Sequence, residues 1–327
     1  MADPGHPRHV LLGAQAGAAS LPVCDHYSGV EARMRKSLDL QAQMAAEFGT
    51  CVFDVTLDCE DGAPVGAEAA HAKLVADLVE GARAGARVAV RIHPVDHPCF
   101  DADIDLIAGR VGDRLCHIMI PKVESRLDVD RAVAALARAG AETPLQVLIE
   151  SPAAVHAAFD IAAHRQVQSL SFGLMDFVSA HAGAIPASAM GAAGQFSHPL
   201  VVRAKLEIAS ACHAHGKVPS HCVVTEFADG SAMRSAAQRA YRELGYTRMW
   251  SIHPAQIRPI VEAMAPDPQE IATAADIITA AIAENWAPIS FRGNLHDRAS
   301  YRYYWHVIER AYRTGRSVPD AIRIFCD

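Results

Sequence analysis

Short apolar runs rich in β-forming residues alternate with longer, alanine-rich amphipathic stretches along most of the chain. The runs predict strands at Leu21–Tyr27, Cys51–Asp58, Arg87–His93, His117–Val123, Leu145–Ser151, Ser169–Asp176, Lys217–Val224 and Met249–His253. Several are apolar at nearly every position, as expected for strands buried on both faces of a parallel sheet. Helical patterns lie between them, including Ala32–Phe48, Ala67–Ala82, Val129–Ala139, Ala153–His164, Leu200–His213 and Gly230–Leu244. Glycines punctuate the junctions at Gly49, Gly85, Gly140, Gly216 and Gly245. Eight strand–helix repeats over about 265 residues match the size and rhythm of an α/β (β/α)8 TIM barrel. A doubly wound sheet is the rival, but no GxGxxG or GxxxxGK[ST] loop follows any strand. The barrel is therefore the expected fold. Residues 1–265 form the expected catalytic domain. Residues 266–327 break the rhythm with a helix at Gln269–Glu284 and an aromatic, basic stretch at Arg298–Arg316. That stretch holds Tyr301, Tyr303, Tyr304, Trp305 and Tyr312 and predicts a C-terminal helical cap or oligomerisation segment.

Composition narrows the classes. The chain has 327 residues, 51% of them hydrophobic and 20% charged, with 30 basic against 37 acidic side chains and a net charge of −7. Disorder needs fewer apolar residues, and a dedicated nucleic-acid binder needs a basic excess. No apolar run approaches the roughly 20 residues of a membrane span. The start, MADPGHPRHV, lacks a long apolar segment after a charged one, so no signal peptide is expected. The 8 cysteines form no CxxC pair, which predicts reduced thiols and a cytoplasmic setting. The 17 histidines include no HExxH and no Cys/His zinc spacing.

In a barrel, the loops after the strands form the active-site face. The predicted strand ends carry Asp58-Cys59-Glu60-Asp61-Gly62, Arg91-Ile92-His93-Pro94, Pro121-Lys122-Val123-Glu124, Glu150-Ser151-Pro152, Phe172-Gly173-Leu174-Met175-Asp176 and Ser251-Ile252-His253-Pro254. Carboxylates from the second, fifth and sixth strands would converge on one mouth beside a single arginine. Such oxygen donors suit Mg²⁺, so Glu150 and Asp176 are expected as its direct ligands. Glu60 and Asp61 would hold metal-bound waters or orient the ligands. Arg91 offers a planar fork for a substrate carboxylate or an enolate oxygen. Simpler roles stand beside these: helix capping for the four carboxylates, and a structural ion pair for Arg91. Lys122 is expected in a salt bridge rather than as a Schiff-base lysine, which would need a lowered pKa. His253 is as well placed for a structural role as for a base.

Six segments together resemble the citrate lyase β-subunit-like proteins and malyl-CoA lyases of the HpcH/HpaI aldolase superfamily. They are Leu57–Gly62 (LDCEDG), Val90–Ile92 (VRI), Ile120–Val123 (IPKV), Leu148–Glu150 (LIE), Phe172–Asp176 (FGLMD) and Leu244–Ile257 (LGYTRMWSIHPAQI), in family order across residues 50–260. The resemblance implies a cytoplasmic, trimeric or hexameric, Mg²⁺-dependent lyase. Such an enzyme cleaves or forms a 3-hydroxyacyl thioester of a short dicarboxylic acid through a metal-stabilised enolate, with oxo or hydroxy acids and acyl-CoA as its small-molecule partners. It matches Glu150 and Asp176 to the metal ligands and Arg91 to the substrate arginine. A catalytic Asp supplied by a neighbouring subunit would be Asp297, with Asp320 as the alternative. Two stretches depart from the family pattern. Ala19–Gly29 replaces an Arg-Ser pair and a Pro-Gly turn, and Arg248-Met249 stands for a Gly-Lys pair expected near the thioester entry. His26 and Tyr27 would supply replacement substrate contacts. The open alternatives are a pyruvate-type class II aldolase acting on free hydroxy-oxo acids without CoA, and a non-catalytic barrel subunit.

Overall fold

The computed structural model describes residues 5–17 and 20–326. Residues 1–4, which open the N-terminal leader reading, and Ala19 of the first-strand departure lie outside the described residues. Eight parallel strands close into a barrel: β1 (Cys24–Ser28), β2 (Phe53–Asp58), β3 (Val88–Arg91), β4 (Leu115–Ile120), β5 (Leu145–Ile149), β6 (Val167–Phe172), β7 (Val218–His221) and β8 (Arg248–Ser251). The seam is closed by β1 on β8, with Cys24 opposite Met249 and Asp25 opposite Trp250.

Alternation of side chains along each strand separates two environments. The outward positions Phe53, Val55, Leu57, Val88, Val90, Ile118, Ile120, Val147 and Ile149 are buried under the surrounding helices in one continuous apolar core. The inward positions are far more polar than the sequence pattern suggests. Asp25 accepts from Thr56 Oγ1 at 2.7 Å and from Gln146 Nε2 at 3.0 Å, and Gln146 reaches Ser171 at 2.9 Å. Tyr27, Met119, Leu148 and Trp250 form a separate apolar cluster that roofs this network. The barrel axis is thus a polar network under an aromatic floor, and that floor is the base of the mouth.

The last sixty residues build a second apolar cluster around Ile271, Ile277, Ile278, Tyr301, Trp305 and Ile308, joined by Leu11 from the N-terminal segment. The extension is helical as expected, with one addition the sequence pattern did not predict. Between helices Pro268–Ala283 and Arg298–Arg313 lies a hairpin, β9 (Ile289–Phe291) and β10 (Asn294–His296). Its turn residues Arg292 and Gly293 have φ of 50° and 81°, the two left-handed positions that tight hairpins favour. The extension packs beneath the barrel: Trp305, Glu309 and Arg313 share a cavity with Pro22, Thr50 and Arg87, which precede β1, β2 and β3. It therefore closes the end opposite the mouth. Among the described residues no helix is long and apolar enough to cross a membrane, and all 8 cysteines are free.

Candidate active site

The strand C-termini open into a cleft of about 810 Å³ whose lining includes His26, Tyr27, Asp58, Asp61, Arg91, Glu150, Asp176 and Trp250. Arg91 ends β3 directly beside Asp58 at the end of β2. Its Nε donates to Asp58 Oδ1 at 2.7 Å, one Nη2 proton goes to Asp58 Oδ2, and Nη1 lies 3.1 Å from Glu60. The ion pair held open as the simpler role is present. A guanidinium has five N–H donors and these contacts take three, so two are left for a ligand in the cleft. Burial alone would lower the pKa of Arg91, but Asp58 and Glu60 outweigh it and keep the cation charged. The Arg91 Cζ stands 5.6 Å from the Tyr27 ring centroid and 5.8 Å from that of Trp250, so the aromatic floor supports it.

Glu150 follows β5, buried, and its Oε1 accepts the Lys122 backbone N–H at 2.6 Å. Lys122 has φ of 52°, a left-handed conformation that is strained for a lysine and turns this N–H toward the carboxylate. Its ammonium reaches Glu60 and lies 3.5 Å from Asp61. Burial alone would lower its pKa, yet Glu60 raises it overall, which is the salt-bridge state and not that of a Schiff-base nucleophile. Burial and the negative charge of Asp176 push Glu150 up to about 7. Gly173 makes room for this carboxylate: a Cβ there would sit 2.5 Å from Glu150 Cβ and 2.6 Å from its Oε2.

Asp176 is not on the sixth strand, as the apolar run suggested. The strand stops at Phe172, and Asp176 lies in the first turn of helix Leu174–Ser179. The chain turns at Gly173, and Asp176 still lines the cleft. Glu60 faces Arg91 and Lys122, whereas exposed Asp61 lines the cleft. His26 and Tyr27 both border it, but each is also held from within the protein. His26 Nδ1 pairs with Ser251 at 3.0 Å, burial lowers its pKa to about 4, and the Tyr27 hydroxyl donates to the Met119 sulfur. Asp297 is not part of its own chain's cleft; it caps helix Arg298–Arg313 by accepting from Ala299 and Ser300. Asp320 opens helix Asp320–Arg323. His253 caps helix Pro254–Met264.

Arg248 overturns one expectation. It does not stand near a carrier entry but begins β8, fully buried at the opposite end of the barrel. There it donates to Pro22 O at 3.0 Å and lies 2.7 Å from Asp54 and 3.1 Å from Asp25. The substitution of the Gly-Lys pair is thus a change in the barrel's polar axis, remote from the mouth. Nearby Asp54, Cys116 and His117 could in principle share an ion. Yet Arg248 and Arg87 already neutralise Asp54 and Asp25, and a further cation there would meet two guanidiniums. Among the described residues, no arginine or lysine forms an ion pair with Asp176 at the mouth.

Sequence reasoning named Asp58 without giving it a role, and it left Gly173 and Trp250 aside. A carboxylate two positions before the Glu60-Asp61 pair and level with Arg91 across two parallel strands was the available signal for Asp58. Gly173 carries no such signal, because its function is the space it leaves.

An eight-stranded barrel with two mouth carboxylates beside a carboxylate-anchored arginine defines a site for stabilising negative charge on oxygen. Residues 38–254 match the family of HpcH/HpaI aldolase/citrate lyase proteins. The chain belongs to that family and is a carbon–carbon lyase. The L-malyl-CoA/beta-methylmalyl-CoA lyase of Cereibacter sphaeroides is 30% identical over 281 residues, 79% of this chain and 86% of that protein. The citrate lyase subunit beta-like protein of Deinococcus radiodurans is 27% identical over 252 residues, 74% of this chain and 84% of that one. A solved citrate lyase from Burkholderia xenovorans is 51% identical, superposes with a TM-score of 0.83, and is aligned over 98% of this chain and 99% of its own. The CitE protein of Mycobacterium tuberculosis, solved with magnesium, acetoacetate and coenzyme A, shares the fold at a TM-score of 0.66 and 21% identity over 89% of this chain and 98% of its own.

Proposed function

We propose that the protein is a Mg²⁺-dependent lyase that cleaves or forms a short 3-hydroxyacyl thioester of a dicarboxylic acid at this mouth. One observation carries the reading: Glu150 and Asp176 line one cleft beside Arg91, and the Asp176 charge adds to burial in raising Glu150 to about 7. Two mutually repelling carboxylates with only oxygen donors fit a hard divalent cation. Glu150 and Asp176 would hold Mg²⁺, which when bound supplies positive charge against the oxygen that gains charge as the C–C bond breaks.

The chain's own groups do the remainder. Lys122 holds Glu150 through its backbone N–H and draws Glu60 over with its ammonium. Asp58 and Glu60 hold the Arg91 fork, whose two remaining N–H donors orient the substrate's carboxylate or keto oxygen. Tyr27 and Trp250, their rings 4.2 Å apart, close the floor against water. Arg33 and Lys36 line the same cleft and give an anionic carrier such as CoA a positive wall. The Cereibacter lyase and the Mycobacterium complex name CoA thioesters or CoA itself, which supports the same substrate class. With Arg248 buried at the far end of the barrel, its place in the sequence where the family has a Gly-Lys pair gives no support to an aldolase without CoA. Asp297, exposed at a helix start, would serve as proton carrier from a second copy of the chain.

The test is turnover of malyl-CoA and related short 3-hydroxyacyl-CoA thioesters in the presence of Mg²⁺, followed by release of the 2-oxo acid. Cleavage of one of them, abolished by chelator and restored by Mg²⁺, is expected. Retro-aldol cleavage of free hydroxy-oxo acids with no activity on any thioester would overturn the reading.

A further inference from the structure

Behind the cleft wall, on the outer side of β7, lies a group of polar side chains that the lyase chemistry does not use. Lys205, from helix Pro199–Ala214, is fully buried among Gln195, Phe196 and Cys222. Its Nζ donates to Gln195 Oε1 at 2.8 Å and stands 4.2 Å from the Phe196 ring centroid. Cys222 Sγ is itself 3.0 Å from the same Gln195 Oε1. Among the described residues no carboxylate pairs with Lys205, and Arg239 adds a second cation over the Phe196 ring at 4.4 Å.

This charge arrangement decides the protonation of the pair. An ammonium next to a neutral thiol would leave one uncompensated positive charge in the interior, which is strongly disfavoured. The two neutral alternatives, amine with thiol and ammonium with thiolate, differ only by one proton moving between Nζ and Sγ. Burial lowers Lys205 to about 8, so a share of it is the free amine near neutral pH and more of it above pH 8. The Lys205 amine and the Cys222 thiol thus converge on one amide oxygen, Gln195 Oε1, at 2.8 and 3.0 Å.

We propose that Lys205 and Cys222 are a redox modification site that a peroxide converts into a covalent nitrogen–sulfur cross-link. The Cys222 thiolate attacks hydrogen peroxide, the O–O bond breaks, and the departing hydroxide takes a proton to leave as water, giving a sulfenic acid. The Lys205 amine then attacks that sulfur; the S–O bond breaks, the hydroxide leaves as a second water with an amine proton, and the Sγ–Nζ bond forms. One peroxide is reduced, the sulfur is oxidised by two electrons, and the sum is thiol plus amine plus peroxide giving sulfenamide plus two waters. Condensation of a sulfenic acid with a nearby nitrogen is an established route on the cysteine oxidation ladder. Burial favours it over further oxidation, because the amine is already in place whereas each additional peroxide must enter the interior. The cross-link would tie helix Pro199–Ala214 to the end of β7, one residue from Val223, which lines the cleft and whose carbonyl accepts from Gln195 Nε2 at 3.4 Å.

The experiment is peroxide treatment of the full chain, digestion without reductant and mass spectrometry. The expected product joins the Lys205 and Cys222 peptides with a combined mass lighter by about 2 Da. It disappears on thiol treatment and is absent from Lys205→Met and from Cys222→Ser, each checked for native circular dichroism. A joined pair heavier by about 14 Da, with one oxygen retained after a second peroxide, supports the same site. Should either variant fail to fold, the wild-type cross-link and its reversal by thiol still decide the matter. Partly exposed Cys99 reports that peroxide reached the protein. Oxidised Cys99 alongside Cys222 recovered as thiol or as sulfinic acid, with Lys205 free, would overturn the proposal.

Discussion

Gly173 shows how much of this site depends on single atoms. The Glu150 carboxylate occupies the space where a side chain at 173 would stand, so the smallest addition must move it. Gly173→Ala is expected to leave the barrel folded but to lower kcat/KM by roughly 10²-fold, because displacing the proposed Glu150 ligand by about 1 Å would have that scale of effect. Steady-state kinetics with thermal unfolding as control checks this; unchanged kcat/KM would mean that Glu150 need not keep its place. That Glu150, Asp176 and Arg91 share one mouth was legible in the sequence, since each was read at a predicted strand end and all three line the cleft. Gly173 and the left-handed Lys122 were not, because nothing in a residue's type reveals that it is defined by empty space or by a strained φ.

The strands themselves were legible as elements, and their ends were less so. An apolar run continues from strand to helix wherever both are buried, as at Leu174, so periodicity placed Asp176 on a strand when it opens a helix. The same blindness hid the hairpin at Ile289–His296, whose strands of 3 residues are too short to show alternation. Helix Arg298–Arg313 offers a test at this scale. Asp297 caps it through backbone N–H groups, a task that asparagine performs equally well. Asp297→Asn should therefore keep the melting temperature within about 2 °C, the shift that a few tenths of a kcal/mol produces, and yet lose turnover if the carboxylate carries the proton in a partner's cleft. Full turnover in this variant would confine Asp297 to capping.

Across the whole molecule, the fold separates a titratable mouth from a polar barrel axis. In the axis, Arg248 and Arg87 outweigh burial and hold Asp54 at about 2, and burial holds His117 at about 4. His26 is likewise lowered to about 4, and His221 is pushed well below its usual range, again by burial. A histidine whose folded pKa is depressed stabilises the fold above its unfolded value near 6.5 and loses that contribution as pH falls toward the folded value. Glu150, raised to about 7, works in the opposite direction and gains as pH falls. Three histidines against one carboxyl leave a net loss on the order of 3 kcal/mol or more between pH 7 and pH 4.5. The urea midpoint of the metal-free protein should fall accordingly, and a midpoint that is equal or higher at pH 4.5 would contradict this balance. The alternating apolar and helical runs sufficed for the barrel, but not for its polar axis. Asp25, Asp54, His117, Gln146 and Arg248 lie far apart in the chain and become one network only when the strands close.

The central claim is that the mouth carboxylates hold a divalent cation. Titration calorimetry of Mg²⁺ into the metal-free protein at pH 8, where Glu150 is ionised, tests it directly. One Mg²⁺ is expected to bind per chain in the wild type and none in Glu150→Ala/Asp176→Ala. Absence of binding in the wild type, or equal binding in the double variant, would contradict it.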